Sequence, residues 1–451
     1  MTATQNEGLK REIGLAGLFL SVINNTIGSA IFLLPAIVAS IPGTASILAY
    51  IVCGFLFLLL MLCYAEISSQ ITVSGGAYAY IETAFGPFAG FLSNTLFWFG
   101  TGVFVCAALV NGAADILSVA VPIFKLPLYR AFFFAMLIGL FAFINIKGVK
   151  QGMLLVKLLT VIKLAPVILL IILGAIGTDT ANLKWEHAPS FENLGAISLV
   201  IFFAFAGGET ALNVGGEIKN PNRTGPLALL WGMLATILIF CAIQLVAQGV
   251  LGPDLVNHKE APLAEVAGKL VGPWGYRIVI VGSLAAILGI ISSLPLLFSR
   301  VMFAGAKDGL LPAYLATVHP RFATPANAII TYSAVAFVVA VSGGFKQLAL
   351  IVSATLLLIY AGVILATIKF RITGRANKPG TFKIPGGLTV HIAALLAVAL
   401  FIVQLELKEI IGLSIFLCVL SMIYFLRSAQ RKRSASINIR KHKPVVHRET
   451  I

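Results

Sequence analysis

Long apolar stretches separated by short polar segments dominate the chain. Stretches of this length and hydrophobicity cross the hydrocarbon core of a bilayer as α-helices. The pattern predicts an all-α membrane protein with twelve transmembrane helices, and the ninth and eleventh are the shortest. We place the spans at about 14–40, 44–66, 84–115, 128–146, 153–176, 194–216, 226–250, 278–299, 326–341, 348–368, 388–405 and 410–426.

Two of these spans contain residues that interrupt helices. Gly28-Ser29-Ala30 lies near the centre of the first, and Gly207-Gly208-Glu209 interrupts the sixth. Because lipid cannot satisfy freed backbone groups, a break at this depth has to line a protein cavity. Two broken spans in corresponding positions indicate the binding site of a transporter. Close helix packing at glycine is the alternative, and it explains two such motifs less well than one.

The position of the breaks divides the chain into repeats. Five spans at 14–176 and five at 194–368 would form a 5+5 inverted repeat, since an odd number of spans reverses the orientation of the second unit. Two extra C-terminal helices at 388–426 follow. A polar N-terminus, 1–13, and a basic tail, 427–451, complete the predicted organisation.

The charge distribution predicts the orientation. Only 11% of residues are charged, and most of the 32 Lys and Arg fall in segments on the side of the N-terminus. The positive-inside rule therefore predicts that both termini are cytoplasmic in a multi-pass cell-membrane protein. We interpret the tail as a solvated end, with attraction to anionic membrane lipids as the alternative. The tail has no aromatic residue, so we expect no nucleic acid partner, and we predict neither metal nor cofactor; the oligomeric state does not follow from the sequence.

The ends of two interrupted helices suit a zwitterion. Helix N-termini present amides that attract a carboxylate, and helix C-termini present carbonyls that attract an ammonium group. We expect a carboxylate to bind the amides of Gly28, Ser29 and Ala30. We expect an α-ammonium group to bind the carbonyls of Ile27, Phe203 and Ala206, with Gly207 allowing close approach of the backbone.

Four motifs resemble the amino acid–polyamine–organocation (APC) superfamily of transporters. They are IGSAIFLLPA at 27–36, SGGAYAYIETAFGPFAGF at 74–91, FAFAGGETALNVGGEIKNPNRTGP at 203–226 and AKDGLLP at 306–312. The resemblance implies the fold with two inverted five-helix repeats, alternating access, and amino acids or related amines as substrates.

Within the superfamily, the chain is similar to bacterial arginine–agmatine antiporters and departs from them in the side-chain pocket. Their gating tryptophan corresponds to Phe203, their substrate-stacking tryptophan to Leu294, and a polar residue of span three to about Val105. Asn25 matches the asparagine of span one, so the backbone subsite is retained. The departures imply a neutral substrate, small or apolar, rather than arginine.

Two charged residues lie within spans, where charge is costly and marks function. The resemblance implies that Glu209 senses protons, and a structural carboxylate that holds the break in shape is an equal alternative. Lys163 resembles the span-five lysine of sodium-independent members, which implies an ammonium group where related transporters bind sodium. We interpret Glu66 and Glu82 as surface or gate-rim charges.

The sequence therefore predicts a sodium-independent secondary transporter of an α-amino acid, with exchange and proton symport both open. A cationic amino acid or polyamine antiporter is the alternative within transport. An amino acid sensor that does not transport is the alternative from another class. No nucleophile–base or metal constellation favours an enzyme.

Overall fold

The computed structural model describes residues 9–28, 30–40, 45–184, 197–198, 200–202, 204–342, 345–374 and 380–441. These residues form α-helices joined by short turns, and their only β-type pairing is a single bridge between Ile13 and Ile218. In the first half the helices are α1 (Leu15–Thr26), α2 (Ala30–Ala39), α3 (Ser46–Gln70), α4 (Ala77–Phe85), α5 (Pro87–Thr95), α6 (Phe104–Ala120), α7 (Pro127–Ile146) and α8 (Val149–Gly177).

The second half continues in the same way. Residues 197–198, 200–202 and 204–205 are helical and are called α9. The remaining helices are α10 (Pro221–Leu251), α11 (Pro262–Val271), α12 (Pro273–Lys307), α13 (Ala326–Ser342), α14 (Phe345–Ile372), α15 (Thr389–Val403) and α16 (Leu407–Lys441). A π-helical segment, Leu96–Val103, joins α5 to α6, and a 3-10 helix, Gly208–Glu217, follows α9.

The described helices agree with a multi-pass membrane protein. Eight are long and apolar enough to cross a bilayer, and the bent pair α1 and α2 forms a ninth candidate span. The predicted ninth and eleventh spans correspond to α13 and α15, which are shorter apolar helices. The sixth predicted span is described only in part, so the count of twelve stays a prediction. The last helix continues to Lys441, beyond the predicted end of the span at 426.

Contacts between loops define two faces of the bundle. On the first, which we call the N-terminal face, Glu12 and Ile13 donate their backbone N–H groups to the Glu217 carbonyl, both at 2.9 Å. Lys219 donates back to the Ile13 carbonyl at 2.8 Å. The opposite face joins Asp179, after α8, to Gly249 at the end of α10 through a backbone hydrogen bond of 3.1 Å.

A buried ion pair lies beneath the N-terminal face. Arg300 of α12 donates from Nε and Nη2 to the two carboxylate oxygens of Glu217, at 2.9 and 2.8 Å, and both side chains are fully buried. This pair fastens the end of the 3-10 helix to α12. A bidentate pair in this geometry satisfies both charges, and loss of one partner would leave the other uncompensated.

The interpretation of Glu66 as a surface or gate-rim charge is wrong. Glu66 is buried and accepts from Arg371 Nε at 2.6 Å, from Arg371 Nη2 at 2.5 Å and from the backbone N–H of Ile384 at 3.0 Å. It joins the end of α3 to the end of α14 and to the segment before α15. The hydropathy pattern placed Glu66 at a span end but could not identify a partner 305 residues away.

A candidate binding site between two interrupted helices

The first span is interrupted at its centre. The helix α1 ends at Thr26, α2 begins at Ala30, and the two axes differ by 48°. The backbone of Ile27 is extended, with φ −79° and ψ 91°. The break therefore leaves the last carbonyls of α1 and the first amides of α2 without their helical partners.

The second interruption follows α9. Gly207 has a φ of 109°, which favours glycine, and the chain then continues as the 3-10 helix from Gly208. A Cβ atom on Gly207 would lie 2.7 Å from the carbonyl oxygen of Asn25, and one on Gly208 would lie 2.5 Å from Thr26 Oγ1. The two breaks therefore pack directly against each other, and glycine permits this approach.

Side chains also connect the two breaks. Asn25 donates from Nδ2 to Thr210 Oγ1 at 3.3 Å and accepts at Oδ1 from Ser293 of α12 at 2.7 Å. Thr210 in turn donates to the Gly207 carbonyl. Asn25 thus ties the first break both to the second and to α12, which fixes their relative position.

A cavity of about 470 Å³ lies at the meeting point of the breaks. This volume is typical of small-molecule sites. Its walls are mostly apolar and include positions on α2, α6, α9 and α14 that lie toward the opposite face. The lining residues are Asn25, Thr26, Gly28, Ala30, Thr101, Val105, Ala108, Leu109, Val200, Ala204, Ala206, Gly207, Glu209, Thr210, Ile290, Leu294, Phe298, Val352 and Leu356.

Lys163 of α8 binds the oxygen atoms at the first break. Its Nζ donates to the Asn24 carbonyl at 2.7 Å, to Asn24 Oδ1 at 2.9 Å and to the Ile27 carbonyl at 2.5 Å. The three donors of an ammonium group are thereby satisfied, and the residue is 0% exposed. No carboxylate among the described residues forms an ion pair with it, so the ammonium group sits in a shell of neutral oxygens.

Glu209 holds the second break. Its Oε2 accepts from the Gly207 N–H at 3.0 Å, and its Oε1 accepts from the hydroxyl of Tyr360 on α14 at 2.8 Å. The residue lines the cavity and is 1% exposed. The carboxylate therefore links the turn at Gly207 to α14, and loss of its charge would weaken both contacts.

The structure brings most of the predicted site residues to the cavity. Asn25, Gly28, Ala30, Ala206, Gly207, Glu209 and Leu294 line it, as does Val105. Ile27 is placed differently, because its carbonyl accepts from Lys163 and the residue is not among those that line the cavity. Ser29 and Phe203 lie outside the described residues.

Sequence reasoning missed several polar residues of the site. Asn24 and Tyr360 contact Lys163 and Glu209 directly, and Thr101 and Thr210 line the cavity. The Asn24-Asn25 pair within an apolar run was a usable signal for Asn24. Tyr360 offered none, since only the fold places it against a carboxylate 151 positions earlier.

Known proteins are similar to this chain over most of its length. The amino acid permease family matches residues 13–426. The serine/threonine exchanger SteT of Bacillus subtilis (strain 168) is 32% identical over 345 residues, which cover 74% of this chain and 77% of that protein. The branched-chain amino acid permease BcaP of the same organism is 25% identical over 459 residues, 96% of each chain.

A third relative is named for a substrate that is not an amino acid. The methylthioribose transporter of Bacillus subtilis (strain 168) is 29% identical over 350 residues, which cover 71% of this chain and 73% of that protein. These relatives are named as transporters and point away from an enzyme. With the family match spanning nearly all the described helices, the chain belongs to the amino acid permease family, within the amino acid–polyamine–organocation superfamily.

Proposed function

We propose that the protein is a sodium-independent secondary transporter that carries a neutral α-amino acid across the cell membrane by alternating access. The observation that carries this proposal is the meeting of two interrupted helices at one cavity. The N-terminus of α2 and the C-terminus of α9 both reach it, at Ala30 and Ala206. These ends offer amides to a carboxylate and carbonyls to an ammonium group without any charged side chain.

The cavity wall supports a neutral side chain on the substrate. Val105, Leu294 and Phe298 lie on it, and Glu209 is the only charged residue among the described residues that line it. Because both carboxylate oxygens of Glu209 already accept hydrogen bonds, from Gly207 and Tyr360, the residue is poorly placed to bind a cationic substrate side chain. Two of the relatives are named for neutral amino acids, one hydroxyl-bearing and one branched-chain.

Sodium independence is supported by the surroundings of Lys163. Cations at broken transporter helices are coordinated by backbone carbonyls and side-chain oxygens. Here Lys163 Nζ occupies such a set, formed by two oxygens of Asn24 and the carbonyl of Ile27. A fixed ammonium group performs the structural work of the ion, so no sodium needs to bind there.

The contact pattern supports the inverted repeat. If spans one to five correspond in order to spans six to ten, each contact between two helices should recur between the two equivalent helices when every span is replaced by its equivalent in the other repeat. The packing of α8 on α12 corresponds to that of α14 on α6, and the packing of α12 on α13 corresponds to that of α6 on α7. The packing of α7 on α12 likewise corresponds to that of α13 on α6.

With the N-terminal face in the cytoplasm, as the basic residues predict, the cavity extends toward the outside. Val200 and Ala204 line it before the second break, and Ala30 lines it after the first. Toward the cytoplasm, the buried pair of Glu217 and Arg300 closes the bundle. Transport in this arrangement requires that pair to separate or move with the helices that carry it.

Uptake by purified protein in liposomes tests the proposal. Vesicles preloaded with a mixture of neutral amino acids should take up labelled neutral amino acid in sodium-free buffer, and sodium should not increase the rate. Uptake that appears only with sodium would overturn the ion-independent part. Binding without flux would favour a sensor, and preference for arginine or a polyamine would favour a cationic carrier.

Coupling is tested in the same vesicles. Uptake that requires an internal amino acid identifies exchange. Uptake into empty vesicles that is driven by an inward proton gradient identifies proton symport.

A further inference from the structure

One wall of the cavity departs from α-helical geometry. The segment Leu96–Val103 is π-helical. Such turns are rare in proteins, and those that occur are often found at functional sites. Thr101 lies in this segment, lines the cavity and is 3% exposed. The irregular turn therefore places a polar residue in an otherwise apolar stretch of wall.

The hydroxyl group of Thr101 has no hydrogen-bond partner among the described residues. Four other buried threonines of the spans donate to the carbonyl four residues earlier. This holds for Thr26 at 2.9 Å, Thr160 at 2.6 Å, Thr236 at 2.8 Å and Thr367 at 2.8 Å. These four threonines lie in α-helical turns, whereas Thr101 lies in the wider π-helical turn.

The other polar side chains on the described cavity wall are engaged with the protein. Asn25 binds Ser293 and Thr210, Thr26 binds the Val22 carbonyl, and Glu209 binds Tyr360 and the Gly207 amide. A buried hydroxyl without a partner is costly. A ligand in the cavity that Thr101 lines can supply the partner that this hydroxyl lacks.

The neighbours of Thr101 indicate which part of a ligand it meets. Val105 lies one helical turn further along the same span, and Phe298 and Leu356 belong to α12 and α14. The helix ends that would hold a carboxylate and an ammonium group belong to spans one and six. The wall formed by Thr101 therefore faces the substrate side chain. Rotation about χ1 moves the hydroxyl among the three staggered positions on Cβ, and the rotamer that turns it toward the cavity lets it reach a ligand.

We propose that Thr101 is a specificity-determining residue whose hydroxyl hydrogen-bonds the side-chain hydroxyl of the substrate. The protein then prefers hydroxyl-bearing neutral amino acids, such as serine and threonine, over apolar amino acids of the same shape. This rests on the proposed transport of a neutral amino acid. A site that bonds a substrate hydroxyl discriminates strongly against the analogue that lacks it.

Competition by isosteric amino acids tests the assignment. Inhibition of labelled L-serine uptake is measured with L-threonine against L-valine, which differ by a hydroxyl in place of a methyl group. The wild-type protein should be inhibited at lower concentrations of L-threonine than of L-valine. Thr101→Val should reduce this ratio by about tenfold, the effect of one hydrogen bond. Thr101→Ser should keep the ratio close to that of the wild type.

Thr236→Val is the matched control, because Thr236 is buried, bonded to the Gly232 carbonyl and not among the residues that line the cavity. An unchanged ratio in Thr101→Val overturns the inference. So does a wild-type protein that transports apolar amino acids and is not inhibited by L-threonine, even if the variant fails to fold. If the wild type takes up no amino acid, the proposed function fails and the inference fails with it. If the wild type takes up amino acids but shows no preference for those with a hydroxyl group, the inference about Thr101 fails and the proposed function stands.

Discussion

At the residue scale, two buried charged side chains support the proposed site. Each forms hydrogen bonds with oxygen or nitrogen atoms at or beside one of the breaks. Lys163 satisfies the first break with three donated hydrogen bonds. Glu209 satisfies the second with two accepted ones. A charge within a membrane helix is expensive, and complete hydrogen bonding is the condition under which it is tolerated.

Removal of the ammonium group should greatly reduce transport. Lys163→Ala leaves two carbonyls and one amide oxygen without donors, each costing about 1–3 kcal/mol when buried. We expect sodium-free uptake to fall by roughly 100-fold, while the protein still elutes as a folded species in size-exclusion chromatography. Lys157→Ala, on the same helix and partly exposed, is the control and should keep its activity. A fully active Lys163→Ala protein would contradict the proposed replacement of sodium.

Neutralisation of Glu209 tests its role in coupling. If the carboxylate takes up a proton during transport, wild-type uptake should rise as the external pH falls, and Glu209→Gln should remove this dependence. The glutamine retains one acceptor, so the break can keep part of its hydrogen bonding. Uptake rates measured from pH 5 to pH 8 for both proteins provide the comparison. Identical pH profiles would leave Glu209 a purely structural role.

At the scale of elements, the glycines at the second break determine how closely two helices approach. Gly207→Ala combines a φ of 109° with a Cβ 2.7 Å from the Asn25 carbonyl, so the backbone must move. We expect a loss of about 1–3 kcal/mol in the free energy of unfolding and a large loss of uptake. Thermal unfolding in detergent measures the first effect.

Gly139→Ala is the matched control for this prediction. An added Cβ at Gly139, within α7, meets nothing within 4 Å, and alanine favours the helix over glycine. This variant should unfold at the same temperature as the wild type or higher. Equal behaviour of the two alanine variants would contradict the close packing of the breaks.

The ion pair of Glu217 and Arg300 is a second feature at this scale. Arg300→Met leaves a buried carboxylate uncompensated, which should lower the free energy of unfolding by about 3–5 kcal/mol. The double variant Glu217→Gln with Arg300→Met should recover part of that loss. Lys150→Met is the control, since Lys150 is exposed in its ion pair with Glu12 and such pairs contribute less than about 1 kcal/mol. If Arg300→Met and the control variant lose equal amounts of the free energy of unfolding, burial of the ion pair does not determine its contribution.

At the scale of the whole molecule, hydropathy predicted most helices to within a few residues because the bilayer imposes both length and composition. Gly28 and Gly207 marked the breaks, since lipid tolerates such residues only at a cavity. The contacts of Tyr360, Glu66 and Arg300 could not be predicted, because each joins residues that are far apart in the chain. Thr101 reaches the cavity wall from a π-helical turn that no local pattern of residues revealed.

We propose that the two interrupted helices hold both charged groups of an amino acid backbone. Competition against uptake of the transported amino acid tests it most directly, with three competitors that share the same side chain. These are the free amino acid, its methyl ester without a carboxylate, and its N-acetyl derivative without an ammonium group. We expect that only the free amino acid inhibits at low concentration, with at least roughly 100-fold weaker inhibition by the other two. Equal inhibition by either derivative would contradict it.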